Sequence, residues 1–336
     1  MDLITLIIPC YNEQESLPLL YPELVKVSQE MSGQSFEFLF VNDGSRDKTL
    51  ELLRELAEKD ERVKYLSFSR NFGKESAMYA GLENASGDYV AFMDADMQDP
   101  PSLLPEMYKA VTEEGYDSAA TRRVTRKGEP PIRSFFARIF YKIMNKISDT
   151  DIVDGARDFR LMNRKFVDAL LRMKECNRFS KGLFGWVGYK TKWIEFENVE
   201  RVAGETKWSF WSLFKYSIEG ILAFTTAPLV IASVLGIILC FLAFVFIVFI
   251  VVRKICFNNS VDGWASMVCL ISFLGGLQLF AIGVVGQYLA KIYCQTAHCG
   301  RYIPHFDFSA KPSPIVPYRH LPQSLSGMTA DCRSLV

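Results

Sequence analysis

The chain has 336 residues and no formal net charge, because 38 lysines and arginines balance 38 aspartates and glutamates. A single hydrophobic core rarely grows to this size, so we expect one sizeable domain and a further region. The balanced charge provides no long-range attraction for a polyanion, so we expect no nucleic acid partner, and any anion site must be local.

The first third of the chain alternates short apolar runs with longer amphipathic stretches. We predict strands at 3–8, 36–41, 63–67, 89–93 and 117–120, with intervening helices that include 48–59 and 76–85. This alternation is typical of a mostly parallel sheet covered by helices, so we predict an α/β fold. Ligands of such sheets bind at the carboxyl ends of the strands.

Polar motifs follow three of these predicted strands. They are Pro9-Cys10-Tyr11-Asn12-Glu13, Asn42-Asp43-Gly44-Ser45 and Asp94-Ala95-Asp96. Each alone is compatible with ordinary turn chemistry, since Asn, Asp, Gly and Ser end strands and cap helices. Three motifs at one edge of a sheet indicate a ligand site instead. The first strand is not followed by Gly-x-Gly-x-x-Gly, which argues against a dinucleotide oxidoreductase.

The aspartates after the fourth strand predict a divalent metal site. Asp94 and Asp96 can hold Mg²⁺ or Mn²⁺ on the diphosphate of a nucleotide donor. Gln98 lies two residues further along the same predicted loop. Such an ion would neutralise the charge that grows on the departing diphosphate. The alternative for an isolated Asp-x-Asp is a pair of solvated loop aspartates.

A basic run follows the last predicted strand. We expect its arginines to bind the phosphate of an acceptor, because arginine forks match phosphate geometry; those predicted to do so are Arg122, Arg126, Arg133 and Arg138. The alternatives are a solvated basic loop and a patch resting on acidic lipid headgroups. A phosphate monoester is largely a dianion near neutral pH, so it could attack a sugar carbon without a strong base.

The C-terminal part contains two long stretches without charge, 220–252 and 263–290. Each exceeds the roughly 20 apolar residues that span a bilayer. We predict an interfacial amphipathic helix at 206–225, transmembrane helices at 226–252 and 264–290, and a largely disordered tail at 291–336. Glycines at 275, 276, 283 and 286 permit close helix packing and thus a homo-oligomer.

Two spans place the catalytic domain, 1–205, and the tail on the same side of the bilayer. We expect that side to be the cytosol and the protein to be a multi-pass protein of the cell (inner) membrane. Arg253 and Lys254 in the short connecting loop argue mildly for the opposite orientation.

The motifs in combination resemble those of polyprenyl-phosphate glycosyltransferases of glycosyltransferase family 2, which include bactoprenol glucosyltransferases and dolichyl-phosphate mannose synthases. The likeness covers residues 3 to about 292. Besides the three motifs above, it is carried by Arg70-Asn71-Phe72-Gly73-Lys74-Glu75, Asp158-Phe159-Arg160-Leu161 and Gly204-Glu205-Thr206-Lys207-Trp208.

The resemblance implies a GT-A fold and inverting transfer of a hexose from a nucleotide-sugar donor to undecaprenyl or dolichyl phosphate, for cell-envelope glycosylation. Glucose from UDP-glucose is the first expectation. The nucleotide-sugar residues it implies are Pro9, Tyr11, Glu13, Asp43 and Lys74; the catalytic ones are Asp94, Asp96 and Asp158, with Gln98 also at the metal. By the same likeness, Arg122 and Arg133 grip the acceptor phosphate.

The chain departs from this family's usual pattern at Arg157, where similar proteins have glycine. Only glycine accepts a positive φ at low cost, so this residue could alter the local turn. The main rival activity is a processive polysaccharide synthase, but the chain lacks the Gln-x-x-Arg-Trp motif of those enzymes. A non-catalytic membrane scaffold is the other rival, and it would not need the aspartates.

Overall fold

The computed structural model describes residues 1–124, 153, 155–173, 175, 178–197, 227–257, 263–296 and 304–305. The interfacial helix predicted at 206–225 lies outside these residues, as do three of the predicted acceptor arginines, Arg126, Arg133 and Arg138.

A mixed sheet forms the centre of the N-terminal region. Its strands are β1 (Leu3–Cys10), β2 (Ser35–Asn42), β3 (Val63–Phe68), β4 (Tyr89–Phe92), β5 (Ser118–Arg123), β6 (Ala156–Asn163), β7 (Thr191–Phe196) and β8 (Pro304–His305). The order across the sheet is β7-β5-β6-β4-β1-β2-β3-β8. Strands β1 to β4 run parallel, whereas β6 is antiparallel to both of its neighbours, β4 and β5. The mostly parallel sheet confirms the predicted α/β class.

Helices cover both faces of this sheet. They are α1 (Leu17–Glu30), α2 (Thr49–Lys59), α3 (Lys74–Asn84), α4 (Leu104–Thr112), α5 (Arg164–Arg172) and α6 (Ser180–Trp186). Successive strand residues point to opposite faces, so Phe38 and Phe40 join the core with α1, α2 and α4. Leu39 and Val41 join the other core, with α3, α5 and α6. Both faces are therefore filled, and the strand ends remain available for a ligand.

The short strand β8 lies in the tail that the sequence predicts to be largely disordered. It pairs antiparallel with the end of β3, with His305 opposite Ser67 and Pro304 opposite Phe68. At these two positions the tail is therefore an ordered part of the sheet edge.

Two long apolar helices follow, α7 (Ala227–Phe257) and α8 (Trp264–Thr296). Their most apolar windows, Pro228–Phe246 and Phe273–Tyr293, have mean hydropathies of 3.0 and 1.5, and neither window is buried. A helix of a soluble core would bury such a surface, so these helices indicate association with a membrane. Both extend beyond the ends predicted from the sequence, 252 and 290.

Candidate active site

A cavity of about 330 Å³ lies where β1, β2 and β3 end. Its polar lining includes Tyr11, Asn42, Ser45, Arg46 and Arg70. Among the five residues predicted to bind the nucleotide sugar, Tyr11 lines this cavity. The mixture of an aromatic ring, amide and hydroxyl groups, and guanidinium groups suits a polar, negatively charged ligand.

The first two polar motifs are bonded to each other at the rim of this cavity. The backbone N–H of Asn12 donates to the Ser45 hydroxyl oxygen, and the Asn12 side-chain oxygen accepts from the Arg46 N–H, both at 2.9 Å. Asn12 has a positive φ of 55°, a conformation that asparagine adopts more readily than most residues. The loops after β1 and β2 thus support one another.

Asp43 fixes the loop that leads from β3 into α3. The side chain is 4 % exposed, and its two oxygens accept from the backbone N–H groups of Phe72 (2.6 Å) and Gly73 (2.9 Å). Burial raises the pKa of Asp43 to about 6, although these two donors and Arg70 act in the opposite direction. A direct contact of Asp43 with a nucleotide stays a prediction. So does one of Glu13, which accepts from the Ser16 hydroxyl at 2.8 Å.

Gly44 allows the loops after β2 and β3 to pass close to each other. Its φ is 63°, and an added Cβ would lie 2.3 Å from the carbonyl carbon of Arg70. We therefore expect Gly44→Ala to lower the free energy of unfolding by about 2 to 3 kcal/mol and to raise the KM for the donor. Gly33→Ala is the matched control, because nothing lies within 4 Å of its added Cβ. Equal stability of the two variants in denaturant titrations would contradict this close packing.

Lys74 joins two carboxylates at the other side of the strand ends. It begins α3, and its Nζ lies 2.6 Å from Asp94 Oδ1 and 2.5 Å from Asp158 Oδ2. The strand register explains the meeting, since Phe92 of β4 pairs with Arg160 of antiparallel β6. Asp94 and Asp158 each lie two residues beyond this last pair of the ladder. The structure thus brings together three residues that lie far apart in the sequence.

The charges of this triplet stabilise each other. Burial alone would raise the pKa of Asp158, but the attraction of Lys74 and Lys181 holds it well below its usual range. Burial would lower the pKa of Lys74, and the two carboxylates raise it well above its usual range. Both groups are therefore charged at neutral pH, and Asp158 is too weak a base to take a proton there.

The loop after β4 carries the predicted metal ligands. The Gln98 N–H donates to Asp96 Oδ1 at 3.2 Å, and Met97 between them has a positive φ of 61°. In the described ranges no group of three or more His, Cys, Asp and Glu side chains could hold a metal ion. Two carboxylates and an amide nevertheless fit a cation that takes its remaining ligands from a substrate diphosphate, as Mg²⁺ usually does.

Arg157 anchors this loop from β6. Its Nε donates to Asp99 Oδ1 at 2.9 Å, and its Nη2 lies 3.4 Å from Gln98 Oε1. Asp99 is completely buried, and burial raises its pKa to about 6 against the attraction of Arg157. No local sequence pattern indicates this role of Arg157. The positive φ of the nearby turn is at Gly155 (79°), so Arg157 does not alter the turn as the sequence suggested it could.

Arg122 is the one predicted acceptor arginine that the described residues contain. It lies on β5, and its Nη1 is 3.7 Å from Glu195 Oε1 on β7. Whether Arg126, Arg133 and Arg138 approach the triplet of Lys74, Asp94 and Asp158 falls outside the described residues.

Comparison with known proteins shows the family to which this chain belongs. The model of the family described as "Glycosyl transferase family 2" matches residues 5–171. The chain is 43% identical over 301 residues to "Putative glycosyltransferase CsbB" of Bacillus subtilis (strain 168), covering 90% of this chain and 91% of that protein. It is 39% identical over 300 residues to "Prophage bactoprenol glucosyl transferase homolog" of Escherichia coli (strain K12), covering 89% and 97%.

A solved structure with limited similarity to this one is that of glucosyl-3-phosphoglycerate synthase from Mycobacterium tuberculosis in complex with Mn²⁺, UDP-glucose and phosphoglyceric acid. The TM-score is 0.42 at 18% identity, over 66% of this chain and 78% of that one, which is too distant to bear on the site. The relatives match nearly their whole length at identities near 40%. With its α/β domain of the GT-A class, this chain therefore belongs to glycosyltransferase family 2.

Proposed function

We propose that this protein transfers glucose from UDP-glucose to the phosphate of a polyprenyl lipid, with inversion at the anomeric carbon. The observation that carries the proposal is the pairing of Asp94 and Asp158 through Lys74, beside a polar cavity, in a chain that also has two exposed apolar helices. Similarity to proteins named bactoprenol glucosyl transferase supports the choice of sugar and lipid.

The reaction forms one bond and breaks one. An oxygen of the acceptor phosphate attacks the anomeric carbon, and the bond from that carbon to the donor diphosphate breaks, so the electron pair leaves with UDP. The acceptor is largely a dianion near neutral pH and needs no proton removed. This agrees with the very low pKa of Asp158, because a carboxylate held ionised by Lys74 would be a poor general base.

The chain's own residues hold the donor and the leaving group. A lysine ammonium has three N–H donors, and the two carboxylates take two of those on Lys74. We assign the third to the donor diphosphate. Arg157 keeps Gln98 and Asp99 in place beside it. Asp94, Asp96 and Gln98 would hold Mg²⁺ or Mn²⁺, which when bound supplies positive charge to the departing diphosphate.

In this proposal α7 and α8 lie in a membrane and hold the reaction at its surface. The phosphate of a polyprenyl lipid lies at the boundary between headgroups and water, and α7 and α8 would hold the catalytic domain there. In this proposal the protein crosses the cell membrane twice, with the catalytic domain in the cytosol, where nucleotide sugars are made.

A donor panel tests the function. Purified full-length protein in detergent, with undecaprenyl phosphate and Mg²⁺ or Mn²⁺, should convert labelled UDP-glucose into a butanol-extractable lipid. GDP-mannose and UDP-N-acetylglucosamine should give much less product, and EDTA should abolish transfer until a divalent ion is restored. If another donor gives more lipid product than UDP-glucose, the transferred sugar is the one that this donor carries. The absence of lipid product with every donor would refute transfer to a lipid phosphate.

A further inference from the structure

A second cavity, of about 320 Å³, lies between β6, β7 and α6. Its lining combines three cationic side chains, Arg157, Arg160 and Lys181, with aromatic rings. The rings are those of Phe184, Tyr189 and Trp193. Among the described residues, no Asp or Glu lines this cavity. A cavity with cations, rings and no carboxylate suits a ligand that has an anionic end and an apolar end.

Arg160 is a buried cation at this cavity. Arg160 is only 3 % exposed. Its Nη1 donates to the hydroxyls of Ser118 and Thr191, both at 3.2 Å. The guanidinium carbon lies 4.4 Å from the ring centre of Phe184 and 5.4 Å from that of Trp193. Within the described part of the chain it has no carboxylate in ion-pair contact.

The electrostatics of Arg160 are unfavourable without a counter-ion. Burial lowers its pKa to about 9, and only the more distant Asp158 acts in the opposite direction. Its Nε has no hydrogen-bond partner among the described residues. Hydroxyls and ring faces offset only part of the cost of burying a cation. An anion in the cavity would provide the missing negative charge.

The cavity adjoins the reacting centre. Asp158 and Arg160 lie two residues apart on β6, which separates their Cα atoms by about 7 Å at most. Arg157 lines the cavity and also contacts Gln98 and Asp99 in the loop of the predicted metal ligands. Lys181 lines it and helps to lower the pKa of Asp158. A ligand bound here would lie next to the donor.

The strand register brings the predicted acceptor residue Arg122 to the same face. Ala120 pairs with Trp193 of β7, and Arg122 pairs with Glu195. Side chains two apart on a strand share a face, so Arg122 lies one step along the sheet from the cavity wall formed by Trp193.

We infer that this cavity binds the phosphate end of the acceptor, a phosphate monoester that carries an apolar chain. Lys181 and Arg160 supply the positive charge, since Arg157 is already paired with Asp99. The aromatic rings contact the first apolar units of the chain. This inference rests on the proposed function and makes it more specific. It assigns the acceptor phosphate to residues outside the basic run of 122–138.

Equilibrium binding to the full-length protein in detergent tests the assignment without turnover. The probe is citronellyl phosphate, a short phosphate monoester with two isoprene units, compared with inorganic phosphate and with citronellol. We expect Lys181→Gln to weaken binding of citronellyl phosphate about 10-fold, as loss of one charge-assisted contact would. Lys192→Gln is the matched control, because Lys192 lies on β7 but pairs with Glu114 at 2.7 Å. It should change binding less than twofold.

The outcomes separate this inference from the proposed function. Equal binding of citronellyl phosphate to wild type and Lys181→Gln would overturn the cavity assignment, even if lipid transfer is observed. Loss of binding in Lys181→Gln together with no transfer from any donor would refute the proposed function and leave the cavity assignment intact. Binding of inorganic phosphate as tight as that of citronellyl phosphate, or displacement of citronellyl phosphate by UDP-glucose alone, would also overturn it.

Discussion

Asp96→Asn should lower kcat for sugar transfer by roughly 10³-fold while the protein still folds. The amide retains the shape of the side chain and an oxygen that can accept from the Gln98 N–H. It removes one of the two negative charges that the loop after β4 offers to a divalent cation. Initial rates with labelled donor give kcat, and circular dichroism checks the fold.

Asp168→Asn is the control for the loss of a carboxylate. Asp168 is exposed on α5 and pairs with Arg164 at 3.0 Å, one helical turn away. We expect its kcat to stay within twofold of wild type, because exposed pairs of this kind contribute little. Wild-type turnover by Asp96→Asn would mean that Asp96 neither holds a metal ion nor supports the leaving group.

Lys74→Met should reduce both activity and stability. It leaves Asp94 and Asp158 facing each other without the cation that joins them. Losing one partner of a buried ion pair is costly, but the Lys74 side chain is 38% exposed and partly screened by solvent, so we expect a loss of about 2 kcal/mol. Misplacement of the two carboxylates should lower kcat by roughly 10²-fold.

The stability difference between wild type and Lys74→Met should depend on pH. In the wild type the pKa of Asp158 is lowered, so the pair stabilises the fold above the unfolded carboxyl pKa of about 4 and loses this effect as pH falls. In Lys74→Met burial dominates and raises that pKa, so ionisation of Asp158 destabilises the variant as pH rises. The difference in melting temperature should be larger at pH 8 than at pH 5.

Lys59→Met controls for the loss of an exposed lysine. Lys59 pairs with Glu55 at 3.7 Å along α2, and both side chains are mostly exposed. Its melting temperature should match wild type at both pH values. A difference between wild type and Lys74→Met that does not change with pH would contradict the assignment of a lowered pKa to Asp158.

The sequence predicts the part of the site that depends on local pattern. Apolar runs followed by polar motifs place Tyr11, Asp43 and Asp94 at strand ends, because parallel strands end at a common edge. The sequence pattern does not indicate strand β6, because Arg157, Asp158 and Arg160 interrupt any apolar run within it. Arg160 is buried, and Arg157 and Asp158 are half-buried, because antiparallel pairing inserts β6 between β4 and β5.

The contacts that carry the chemistry depend on that long-range register. Lys74 and Asp158 are 84 residues apart, and Arg157 and Asp99 are 58 apart. No periodicity links such positions, so the sequence does not predict that Lys74 contacts Asp158 or that Arg157 contacts Asp99. The sequence does not indicate the cavity beside Arg160 either, because its walls come from three separate elements.

The pairing of β8 with β3 limits the distance between the end of helix α8 and the cavity at the ends of β1 to β3. Ser67 and Phe68, which pair with His305 and Pro304, also line the cavity at the ends of β1 to β3. Helix α8 ends at Thr296, and the eight residue steps to Pro304 reach at most about 29 Å when fully extended. The length of this segment therefore sets an upper limit on how far the sheet edge at β3 can lie from the C-terminal end of α8.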